Sequence, residues 1–208
     1  MKSWHGRVSY FSSSCSSCTC WWSVSLSSLP TARVHVKTHK YNNSEVQSIP
    51  PEQLKTRPIV SGCNSPFDRT SWLVTFILQP LMELVPSHLR NTADFLTSLS
   101  NTSPEQRRGL TFFSADVESL YTNIEGLTAV RDVIEFAKEH RSSLKLYGLK
   151  LSDLQKILEV NLENSYFIYN RKVYRQLVGL FMGWRPAPIL ATIRMYMLVL
   201  TPRGWCEL

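Results

Sequence analysis

The stretch LTFFSADVESLYTNIE, residues 110–125, constrains this chain more than any other. Thr111, Phe112, Phe113 and Val117 favour the pleated, half-buried surface of a β-strand. Asp116 and Glu118 sit two residues apart, which on a strand puts both carboxylates on one face. A carboxylate leaving the end of an apolar strand is costly to bury unpaired, so it is either solvated or bound to a cation. Tyr121, Thr122 and Asn123 follow as a short turn, and a helical pattern begins beyond Gly126.

The 208 residues suffice for one domain, or one and a fraction, and 43% apolar residues are enough to build a core. With 19% charged residues the composition is globular rather than disordered. The net charge of +7 weakly favours polyanionic partners. Five cysteines, Cys15, Cys18, Cys20, Cys63 and Cys206, form an odd, clustered set that suits a reducing compartment better than a disulfide framework. No run of 18 apolar residues occurs, and the basic start has no continuous apolar core, so neither a spanning helix nor a signal peptide is expected.

Residues 1–30 are dominated by Ser with Cys and Trp interspersed, and show neither helical nor strand period. Cys15, Cys18 and Cys20 with His5 could serve as metal ligands, but a tetrahedral site needs a second pair, for which only His35 and His39 are near. The plainer reading is a disordered or non-native leader. From Thr31 the character changes. RVHVKTHK, residues 33–40, alternates Val34 and Val36 with Arg33, His35, Lys37 and His39, and Lys40 adjoins. After a polar linker, LKTRPIVSGCNSP opens a second strand through Lys55 and Arg57. Together they predict a basic hairpin, which is either a charge-protected edge or a grip for phosphates.

Trp72, Leu73, Phe76, Ile77, Pro80, Leu81 and Leu84 make an apolar stripe at helical spacing, read as core, with Pro80 ending or kinking the helix near Gln79. Asn91 or Thr92 caps a helix expected to bury Phe95, Leu96 and Leu99, and residues 101–109 read as a surface loop. Leu127, Val130, Ile134 and Ala137 mark an amphipathic helix. A capping box at Ser152–Gln155 starts another helix, carrying Leu154, Ile157, Leu158 and Leu162. YFIYNRKVYRQLVG, residues 166–179, predicts a hairpin turning at Asn170 and Arg171. As it ends, Gln176-Leu177-Val178-Gly179-Leu180-Phe181-Met182-Gly183 brings two glycines, which let a backbone come close to a ligand with no Cβ in the way, or simply make a flexible turn.

The wording DVESLYTNIEGL resembles motif A of reverse transcriptases, most closely those of Penelope-like retroelements. Strand, acid, aromatic turn and helix is how a polymerase palm holds a metal beneath a nucleotide. Residues 176–183 resemble motif B of the same family, and RPIVS resembles its fingers. The resemblance covers residues 33–199 and implies an α+β fold: fingers plus an incomplete right-hand palm, an antiparallel sheet backed by helices, between the leader 1–30 and a divergent tail 200–208. It implies RNA-directed DNA synthesis, with an RNA template, a DNA primer and dNTP as partners and two Mg²⁺ (or Mn²⁺) ions as cofactors. Asp116 and the Val117 carbonyl would bind metal, with Asp116 catalytic. Arg57 and Lys55 would hold the triphosphate, and Tyr121 would stack under the deoxyribose. Gln176 and Gly179 would line the nucleotide site, and Met182, Gly183, Lys37 and Lys40 would touch template or primer. The family places the protein inside the cell, in nucleus or cytoplasm.

Two departures from the pattern stand out. Trp184-Arg185 replaces the small polar residues that usually follow motif B. The Tyr-x-Asp-Asp motif C is not found, and the sequence contains no Asp-Asp pair at all. Two-metal phosphoryl transfer needs carboxylates from both sides of the ions. The 208 residues are therefore expected to be inactive as a polymerase, leaving nucleic-acid binding without catalysis as the alternative.

Overall fold

The computed structural model describes residues 8–10, 29–37, 49–50, 53–63, 65–109, 111 and 114–200. It is an α+β arrangement in which helices carry the main core and two small antiparallel sheets lie beside it. The helices are α1 Asp68–Leu78, α2 Thr92–Ser100, α3 Pro104–Arg107, α4 Leu120–Asn123, α5 Gly126–Glu139, α6 Leu151–Glu163 and α7 Ala187–Leu200. The strands are β1 Val8–Tyr10, β2 Ala32–Val36, β3 Thr56–Val60, β4 Tyr166–Tyr169 and β5 Lys172–Gln176. Among the described residues no helix is long and apolar enough to cross a membrane.

α5 is the spine of the core. Its apolar residues recur every three or four positions, so Ala129, Val130, Val133, Ile134, Phe136 and Ala137 all become buried, facing α6 and α7. Burying each of the larger ones stabilises the fold by roughly 1.5–3 kcal/mol. Leu127, expected on the same stripe, stays exposed in the first turn of the helix. α6 answers with Leu154, Leu158 and Asn161. It starts two residues earlier than expected, and the Asp153 carboxylate accepts from the Lys150 backbone N–H at 2.7 Å, so the cap sits at Lys150 rather than Ser152. α7 is almost wholly apolar and is tied to α5 by an ion pair from Arg194 to Asp132 at 2.9 Å.

α1 buries Ser71, Val74, Ile77 and Leu78, and its α-helix ends at Gln79–Leu84, a 3-10 helix with Pro80 in its first turn, as the proline predicts. The expected core stripe is corrected here. Trp72 and Phe76 are 52% and 51% exposed, because the buried face of α1 lies about half a turn away from them. α2 is capped by Asn91, whose side chain accepts from Asp94 N at 2.9 Å, yet it buries nothing: Phe95 and Leu96 are exposed and Leu99 only half-buried. The following loop contains the one-turn helix α3, opened by a capping box between Ser103 and Gln106.

The hairpin β4–β5 forms as the sequence predicts, with Asn170 and Arg171 both at positive φ (47° and 60°), the geometry of a type I′ turn. β1, from the stretch read as a leader, pairs with the far edge of β5, giving the order β1-β5-β4. β2 and β3 form the second, two-stranded antiparallel sheet. A bridge between Thr31 and Ile168 joins the sheets over a small core of Ala32, Val60 and Phe167.

The strand expected over residues 110–117 is corrected at its far end, residues 114–117. Residues 114–117 have no regular structure and are fully on the surface, and 110, 112 and 113 lie outside the described residues. A strand exists only through hydrogen bonds to a neighbour, and no described strand lies alongside this one. Asp116 and Glu118 therefore stand on an exposed, irregular segment and not on one face of a sheet.

Candidate functional site

Three segments far apart in sequence meet along residues 176–185. β5 delivers Gln176, whose N–H donates to Ser165 O at 2.9 Å and whose side-chain Nε2 donates to Val178 O at 2.9 Å. The chain then turns at Gly179, at φ +85°. A Cβ there would lie 2.7 Å from Tyr121 O and 2.8 Å from Thr122 Cα, so only glycine fits. The next residue, Leu180, donates its N–H to Tyr121 O at 2.6 Å and buries its side chain. Four residues after Gly179, Gly183 O accepts from Gly62 N at 3.0 Å, beside a bridge between Ser61 and Gly183. A Cβ on Gly183 would press Ser61 Cα at 2.7 Å. The Tyr121 turn and the end of β3 are thus both held by backbone contact with this segment. Met182 lies between the two contacts, half-buried.

The Tyr121 turn is built locally. Ser119 adopts φ 56° and starts α4, Thr122 Oγ1 donates to Ser119 O at 2.9 Å, and Asn123 Nδ2 donates to Glu118 O at 3.1 Å. Tyr121 is half-buried against the main core and Ile124 is buried in it. Upstream, Asp116, Val117 and Glu118 reach solvent. Among the described residues no three His, Cys, Asp or Glu side chains gather in a way that could hold a metal ion. Asp116 with the Val117 carbonyl supplies one carboxylate and one carbonyl, and a two-ion centre needs carboxylates from a second segment. The described residues therefore do not by themselves build such a centre.

The basic hairpin presents its cations together. His35 lies directly across from Arg57, and Lys37 N donates to Lys55 O at 2.9 Å. Because opposed residues of an antiparallel pair share a face, Arg33, His35, Lys37, Lys55 and Arg57 line one side of the two-stranded sheet. Neither strand carries an acid. Lys40, His5, His39 and the cysteines 15, 18 and 20 lie outside the described residues.

A polar lock that the sequence reading did not anticipate follows Gly183. Trp184 is buried and its indole Nε1 donates to Ser71 Oγ at 2.9 Å, while Asn161 Nδ2 donates to the same oxygen at 3.1 Å. One hydroxyl on α1 thus ties the glycine segment to α6. Arg185 Nε pairs with Asp68 Oδ1 at 2.8 Å, and that hydrogen bond and charge raise the guanidinium pKa above its ordinary value. Trp184 and Arg185, which depart from the motif B pattern, are the residues that anchor the segment to α1. Their bulk was the only signal in the sequence. Ser71 and Asn161 had none, since small polar residues on a helix are ordinarily solvated.

Compared with protein-family models, characterised proteins and solved structures, the chain finds no match.

Proposed function

We propose that this chain is the fingers and first palm portion of a reverse transcriptase of the Penelope-like kind, which grips nucleic acid and nucleotide phosphates but does not complete nucleotidyl transfer by itself. The observation that supports this reading is the meeting of three motifs. RPIVS, the Tyr121 turn and Gln176–Gly183 resemble the family in order, and their backbones meet at the Ser61–Gly183 bridge and at Tyr121–Leu180. Among the described glycines, the two that resemble motif B are the ones where a Cβ would come closer than 3.0 Å to backbone atoms.

In this reading the basic face of β2 and β3 holds phosphates. Arg57 is the best suited of its residues, since a planar guanidinium grips two oxygens at once and an ammonium offers a point charge. Gln176, Gly179 and Met182 would line the nucleotide and template side, and Asp116 would contribute to a magnesium site completed by other carboxylates. The single carboxylate supplied here favours binding over catalysis.

The test is fluorescence anisotropy of an RNA–DNA primer–template across a salt series, beside primer extension with dNTP and Mg²⁺ or Mn²⁺. Binding should weaken steeply with salt, and Arg57→Ala should lower the logarithmic slope by about 1. No binding at low salt would refute the grip, and templated extension would refute the lack of catalysis.

A further inference from the structure

Trp72, Phe76 and Tyr147 form a ladder of rings on the surface. Trp72 and Phe76 stack at 5.4 Å between centroids and 9° between planes, and Phe76 meets Tyr147 at 5.9 Å. All three are more than half exposed, Tyr147 the most at 65%. Tyr147 is held there at φ 49°, a backbone region that disfavours bulky residues, with Gly148 at φ 87° completing the turn. Placing a large ring in solvent on a strained turn gains nothing for the core.

Cations predominate along the two segments that carry the ladder. Arg69 lies on the same face of α1 as Trp72 and Phe76, by its i, i+3, i+7 spacing. Lys145 and Lys150 lie within three residues of Tyr147 and are exposed. Residues 69–78 and 140–152 contain no acid. Of the flanking acids, Asp68 is paired with Arg185 and Asp153 caps α6. Stacked, exposed rings with Arg69, Lys145 and Lys150 beside them in the chain suit an unpaired nucleic-acid strand, whose bases offer π-faces and whose backbone offers phosphates.

We propose that the Trp72–Phe76–Tyr147 ladder is a stacking platform for single-stranded nucleic acid, separate from the basic hairpin. It rests on the ring geometry and local charge, and stands whether or not the hairpin reading holds.

The experiment compares two fluorescent oligomers of about a dozen nucleotides, a length within the site sizes of stacking proteins. One is oligothymidylate and the other an abasic strand of equal charge, each titrated with the full chain at constant salt. Oligothymidylate is expected to bind at least about tenfold tighter, and Trp72→Ala or Phe76→Ala each to remove about tenfold of its affinity while leaving the abasic strand unaffected. Trp72→Tyr should retain most of the binding. Equal affinity for both oligomers, or no effect of the ring deletions, overturns the proposal. So does a sedimentation profile in which the wild type is a dimer and Trp72→Ala a monomer, since the face then binds a second copy of the chain. Arg57→Ala separates the two sites. A uniform loss for both oligomers supports the hairpin grip, and no loss sinks that reading alone while the preference for bases remains.

Discussion

In the helical block Phe136 is 2% exposed and meets His140 and Tyr196, whereas every residue from 114 to 119 is exposed and none belongs to a helix or strand. Both regions carry sequence that looks informative: one has a strong apolar period, the other a specific run of wording. The block is held by dispersion and burial among α1, α5, α6 and α7, all supplied within this chain. The 114–119 segment follows strand-favouring residues in the sequence but has nothing to pair with among the described elements. Packing can be read from one element's own spacing, but a sheet position depends on what lies beside it.

The widest test of that contrast is Phe136→Ala, which should cost about 3–5 kcal/mol in urea denaturation because it leaves a cavity under α5. Next is Gly183→Ala, expected to cost about 3 kcal/mol, since the new methyl must displace the backbone at Ser61. If that variant is as stable as the wild type, the glycine segment is not pinned to β3. Ser71→Ala should cost about 1–3 kcal/mol by stranding Trp184 Nε1 and Asn161 Nδ2. Adding Trp184→Phe should then cost less than it does alone, a non-additivity that a double-mutant cycle reads directly. The smallest effect belongs to Asp116→Asn, which should change stability by no more than about 0.5 kcal/mol, as expected for an exposed site. A larger loss would mean that the segment has folded partners and would break the comparison.

Much of the fold was legible in local pattern. The α5 stripe, the Pro80 stop, the Asn91 cap, the basic hairpin and the Asn170-Arg171 turn all follow from side-chain spacing and backbone preference, and each is found. Of the candidate site, the special standing of Gly179 and Gly183 was legible, because glycine at fixed offsets signals close backbone approach. Which backbones approach them was not. Tyr121 and Gly62 are 58 and 121 residues away from their partners, Gly179 and Gly183, by sequence number.

Helical spacing predicts a buried Trp72 and Phe76, and the α2 pattern a buried Phe95 and Leu96, but spacing says only that residues share a face, not which face meets the rest of the molecule. For α1 the choice fell to Ser71, Val74, Ile77 and Leu78, whose neighbours on α6 and at Trp184 include the partners that satisfy the Ser71 hydroxyl. The sequence by itself determined that Asn91 can cap α2, that Pro80 ends α1, that the chain turns at Asn170 and Arg171, and that the hairpin is basic, because those depend on residues close together in the chain. Only the tertiary structure decided which helix faces are buried, that three distant segments meet at two glycines, and that residues 114–117 are not a strand. Those outcomes depend on partners that no local window contains.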